Sequence, residues 1–70
     1  MIFLERDDEY FRVEICKDLF GELNVVQYWG NARSRHEKHK VIPVDSIEQA
    51  GLVQELIVSG KLTNGFRVSG

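Results

Sequence analysis

One stretch of this 70-residue chain holds residues whose types and spacing could do chemistry. Gln27-Tyr28-Trp29-Gly30 runs directly into Asn31-Ala32-Arg33-Ser34-Arg35-His36-Glu37-Lys38-His39-Lys40. Aromatic rings stack on a base or a sugar while neighbouring cations meet phosphate, so this order points to nucleic-acid contact. Trp29 would supply the stacking face. Gly30 and Asn31 lead into the loop, and Arg33, Arg35, Lys38 and Lys40 would face the phosphates. From Asn31 to Lys40 the four cations meet only Glu37, a net +3, whereas the chain as a whole carries -2, which leaves -5 for the remainder. The acidic residues gather at Glu5, Asp7, Asp8, Glu9, Glu14, Asp18 and Glu22. A basic loop on an acidic body binds a polyanion locally and is poorly suited to wrapping a duplex. Two plainer readings stand beside this one. The basic run could be a solvated loop, and Trp29, which shares strand parity with Leu23 and Val25, could pack in the core.

Other chemistry finds little support, and no catalytic residue is assigned. The local sequence holds no Ser-His-Asp or Cys-His arrangement. Cys16 lies between Ile15 and Lys17 on a predicted strand, with nothing to activate its thiol. His36 and His39 are three apart, which on a strand places them on opposite faces. With one cysteine and no further clustered ligands, a zinc site fails on ligand count, so no metal site is expected. Gly21, Gly30, Gly51, Gly60, Gly65 and Gly70 are scattered and form no phosphate-loop pattern. No cofactor is expected.

The elements that must position the aromatic–basic stretch follow from periodicity. Met1–Glu5 is a short apolar run that reads as a strand, and Arg6–Glu9 is a polar turn. Tyr10–Lys17 alternates, with Phe11, Val13 and Ile15 pointing one way and Arg12, Glu14 and Cys16 the other, as in a half-buried strand. Asp18–Glu22 is a turn in which Gly21 supplies positive φ. Leu23–Gly30, rich in Val, Tyr and Trp, is the next strand. His36–Val44 reads as a fourth strand, with Pro43 near its end or on an edge. Asp45 is expected to cap a helix, with Glu48 completing a capping box. Ile47, Ala50, Val53, Leu56 and Ile57 form its apolar face, and Gly60 ends it. Lys61–Gly70 is a tail in which Leu62, Phe66 and Val68 could dock on the sheet edge. The expected fold is a single α+β domain over residues 1–70: an antiparallel sheet of about four strands with one amphipathic helix on one face.

In their order and spacing these pieces resemble the WGR domain, a module named for its Trp-Gly-Arg motif. Ile2-Phe3-Leu4-Glu5-Arg6 and Tyr10-Phe11-Arg12-Val13-Glu14 look like the first two strands of bacterial members. Asp18-Leu19-Phe20-Gly21 and Val25-Val26-Gln27-Tyr28-Trp29-Gly30 look like the approach to the motif. Asp45-Ser46-Ile47-Glu48-Gln49-Ala50 resembles the helix start and Asn64-Gly65-Phe66 the closing element. The resemblance implies an antiparallel sheet with one helix and no catalytic activity. It also implies contact with DNA at a break, as in poly(ADP-ribose) polymerases, where the motif Trp stacks on the end nucleotide's sugar. Trp29 and Gly30 take the first two motif positions. Asn31 stands in place of the motif arginine, and Arg33 and His36 stand where glycines are common. Asn31 can hydrogen-bond a phosphate but not neutralise it, so Arg33 and Arg35 are expected to restore the charge from new positions.

The expected partner is therefore a nucleic acid, DNA before RNA. The alternative is a protein-interaction or self-association module that has lost DNA binding. Hydrophobic residues at 43% and charged residues at 29% fit a globular chain. No apolar run approaches the roughly 18 residues of a membrane span, and Met1–Leu4 is too short for a signal-peptide core. A lone cysteine makes no internal disulfide, so a cytoplasmic setting is expected.

Overall fold

The computed structural model describes residues 1–69; Gly70, the end of the predicted tail, lies outside the described residues. In chain order the elements are β1 (Ile2–Arg6), β2 (Glu9–Lys17), β3 (Leu23–Asn31), β4 (Glu37–Val44), α1 (Ile47–Thr63) and β5 (Arg67–Val68). The strands form one sheet in the order β4-β3-β2-β1-β5, every neighbouring pair antiparallel. The α+β architecture is as expected, but among the described residues the sheet has five strands. The fifth comes from the tail: Val68 pairs with Leu4 and Arg67 with Glu5, and the Ser69 amide donates to the Phe3 carbonyl at 2.9 Å. Two residues are too few to show a period, so this strand exists because the edge of β1 is there to template it.

Two short turns set the register of the first three strands. Between β1 and β2, Asp7 takes φ 53, a left-handed conformation that Asp tolerates better than most side chains. Between β2 and β3, Asp18 Oδ1 accepts from the amides of Phe20 and Glu22 at 2.9 and 3.0 Å, and Gly21 takes φ 79. The resulting pairing aligns Phe11 with Trp29 and Val13 with Gln27, then Trp29 with Lys38.

Alternation divides the sheet into two faces. Leu4, Phe11, Val13 and Val25 are fully buried on the helix side, with Ala50 and Phe66 completing the core. Each fully buried large side chain contributes roughly 1.5–3 kcal/mol. The opposite face carries Phe3, Arg12, Tyr28 and His39 in one row across four strands. The Arg12 guanidinium lies 4.0 Å from the Tyr28 ring centroid and 5.9 Å from that of Phe3.

The helix departs from expectation at both ends. Its N-cap is Ser46, not Asp45: Ser46 Oγ accepts from the Gln49 amide at 3.1 Å, while Gln49 Oε1 accepts from the Asp45 amide at 2.5 Å. Gln49 thus does the reaching back that was expected of Glu48. At the other end the helix passes Gly60 and stops at Thr63, with Gly65 in the left-handed region at φ 92. The inward face is Ala50, Val53, Ile57 and Val58; Ile47 and Leu56, expected there, are 57% and 74% exposed. No helix among the described residues is long and apolar enough to cross a membrane.

Candidate functional site

The extra turn of helix changes the surroundings of Trp29. Ala50, Val53 and Ile57 form the inward stripe, and Lys61 follows Ile57 by four residues, on the same helical face. Had the helix ended at Gly60, Lys61 would have been a tail residue. Instead its Nζ stands 4.6 Å from the Phe11 ring centroid and 5.2 Å from that of Phe66, within cation–π range.

Trp29 is half-buried, neither sealed in the core nor fully exposed. It packs against the core cluster, and its ring stacks on Phe11 with centroids 6.4 Å apart and planes inclined by 21°. It also lines a cleft of about 390 Å³ at the end of the sheet where β2 begins and β3 ends. Phe11 and Phe66 share the lining, with Lys38 from β4 and Lys61 from α1. Lys38 pairs in register with Trp29, so the two lie on one face.

The predicted site residues divide into two groups. Trp29, Gly30, Asn31 and Lys38 line the cleft, and Arg33, Arg35 and Lys40 stand outside that lining. Arg33 Nε pairs with Asp8 Oδ2 at 3.2 Å, and the Ala32 amide donates to the Asp8 backbone carbonyl at 2.7 Å. The β1–β2 turn thus holds the start of the basic loop and engages one of its arginines. Arg35 is exposed within the loop. Lys40 lies opposite Gln27, on the helix side of the sheet but two positions further along β4. The Asn31 side chain is used locally, its Oδ1 accepting from the Arg33 amide at 2.9 Å. Lys61, Ser34 and His36 join the lining without having been singled out for it. The signal for Lys61 was its continuation of the helical stripe; Ser34 and His36 reach the cleft through the loop path, which has no periodicity to read.

Gly30 has a structural explanation on the opposite face. A Cβ there would meet the Tyr10 hydroxyl at 2.9 Å, the His36 carbonyl at 3.0 Å and Tyr10 Cζ at 3.1 Å. Tyr10 lies across this gap and donates to Glu37 Oε2 at 2.8 Å, tying β2 to β4 over the short residue. That hydrogen bond, with burial and the Glu37 charge, raises the Tyr10 pKa above its ordinary value, while Arg12 acts in the lowering direction. Burial, followed by the Glu14 charge, likewise raises Tyr28.

The arrangement offers part of one half-buried indole, Trp29, in a cleft shared with the ammonium groups of Lys38 and Lys61, while Phe11 and Phe66 are themselves buried. It can take up a planar or apolar group and hold an anion beside it. Among the described residues, no group of three His, Cys, Asp or Glu side chains is placed to hold a metal ion. No protein-family model matches the chain, and neither a curated protein nor a solved structure matches it.

Proposed function

We propose that this chain is a non-catalytic nucleic-acid-binding module of the WGR type, with DNA as its ligand. Trp29 stacks on a sugar or base at the mouth of the cleft, and Lys38 and Lys61 contact the adjacent phosphates. Arg35 and Lys40 extend the cationic surface along the strand that leaves the site. Arg33 contributes after giving up Asp8.

The observation that carries this reading is that a half-buried indole, its register partner Lys38 and the helix residue Lys61 line a single cleft. A stacking ring with cations beside it is the elementary unit of single-strand and end recognition, and stacking contributes about 1–3 kcal/mol per base. Further support comes from the resemblance of Val25–Gly30 to the approach to the WGR motif. Asn31 does not supply the charge of the motif arginine. In this reading Lys61 supplies it from the helix.

The test is titration of fluorescently labelled duplexes with free ends at several salt concentrations. Each neutralised phosphate adds about -0.9 to the slope of log affinity against log salt. Binding at low salt that weakens on Trp29→Phe and on Lys61→Ala is the expected result. No binding at low salt overturns the proposal.

A further inference from the structure

The β2–β3 turn carries apolar side chains that the fold does not use. Leu19 is 100% exposed and Phe20 89%. The turn that presents them is held by its own hydrogen bonds: Asp18 Oδ1 accepts from the Phe20 and Glu22 amides, and the Asp18 amide donates to the Glu22 carbonyl at 2.9 Å. An aromatic side chain on a turn already fixed in shape loses little entropy on docking, and buried aromatic anchors dominate the energetics of interfaces.

We propose that the Leu19–Phe20 tip docks in the Trp29 cleft of a second copy of this chain. Size, charge and placement support this occupant. The cleft, at about 390 Å³, has room for a phenyl ring beside the half-buried Trp29, Phe11 and Phe66 being themselves buried. Asp18 and Glu22, against Lys17, make the tip net negative. Lys38 and Lys61 make the cleft positive, its Glu9 being engaged by Arg6 at 3.1 Å. Tip and cleft also lie at opposite ends of the same hairpin, beyond the Lys17–Leu23 pair and beside the Phe11–Trp29 pair respectively. The separation is roughly 20 Å at the rise of a β-strand. A chain therefore cannot fill its own cleft, and the contact is head-to-tail, propagating into rings or open chains. This assembly does not depend on a nucleic-acid ligand, but the two occupants share one cleft and exclude each other.

The experiment is sedimentation equilibrium of the full chain over a dilution series, with Phe20→Ala as the tip variant and Lys38→Glu as the cleft variant. Both positions are exposed, so both variants are expected to fold, and circular dichroism checks this. The wild type is expected to gain mass with concentration, and Phe20→Ala to weaken association on the order of thirty-fold. Mixing the two variants is expected to give a 1:1 complex and nothing larger, because only one tip and one cleft in the pair are intact. A wild-type chain that stays monomeric up to about 1 mM, or a Phe20→Ala chain that associates like the wild type, overturns the proposal. Duplex titration separates the two functional readings. Tip-dependent assembly without duplex binding supports this inference and overturns the nucleic-acid one. Duplex binding by a wild type that never associates does the reverse.

Discussion

The Phe11 and Trp29 rings stack 6.4 Å apart at 21° across neighbouring strands, so one side of the indole is committed to the core while the remainder borders the cleft. This relationship makes Trp29 structural and available at once, and it fixes how the residue must be tested. Trp29→Ala is expected to lose roughly 2 kcal/mol of stability, less than full burial of an aromatic would cost. Trp29→Phe keeps most of the packing and loses part of the stacking surface, so duplex affinity is expected to fall on the order of tenfold while the fold persists. Denaturant unfolding and duplex titration of both variants check this.

Gly30→Ala places a methyl group 2.9 Å from the Tyr10 hydroxyl and 3.0 Å from the His36 carbonyl. The expected cost is about 1–3 kcal/mol from overpacking. Tyr10→Phe removes the hydroxyl contact but leaves the ring Cζ at 3.1 Å and the carbonyl at 3.0 Å, so the double variant is expected to recover only part of the loss. A double-mutant cycle by thermal unfolding measures this coupling.

Asp8→Asn frees Arg33 from a pair whose side chains are 82% and 51% exposed. An exposed pair of this kind contributes about 0–1 kcal/mol to folding, so stability is expected to change little. Duplex binding is expected to strengthen, with the salt slope steeper by up to about 0.9. Titration of Asp8→Asn beside the wild type reads both quantities.

Tyr10 and Tyr28 have pKa values raised in the folded chain, the first chiefly by its hydrogen bond to Glu37 and the second chiefly by burial. A phenol that holds its proton more tightly when folded stabilises the fold fully below its unfolded pKa of about 10 and loses that contribution as the pH rises through the folded value. Stability is therefore expected to be insensitive to these groups at neutral pH and to fall above about pH 10. Tyr10→Phe is expected to make that fall shallower, as measured by denaturant midpoints across the alkaline range.

The sequence made the sheet legible where side chains alternate strictly. Phe11, Val13 and Ile15 on β2 identify their own face, and Trp29 inherits its face from Val25. The helix was legible in existence but not in its ends. Asp45 and Ser46 are both good caps, and the choice fell to Ser46 because Gln49 can reach back to the Asp45 amide. Gly60 is a permissible helix stop, but the chain continued, and the Phe66 amide closes the end on the Lys61 carbonyl at 3.0 Å. That three-residue extension is why Lys61 was missed. The residues of the basic loop were legible by composition but not by direction, since Arg33 turns to Asp8 through a contact between two separate hairpins.

Lys38 and Lys61, which line the cleft with Trp29, are proposed to hold phosphate. This is tested most directly by the salt dependence of duplex binding for the wild type and for the Lys38→Ala, Lys61→Ala double variant. Loss of two phosphate contacts predicts a slope shallower by about 1.8 in log–log terms. A double variant with the wild-type slope and affinity would contradict the account.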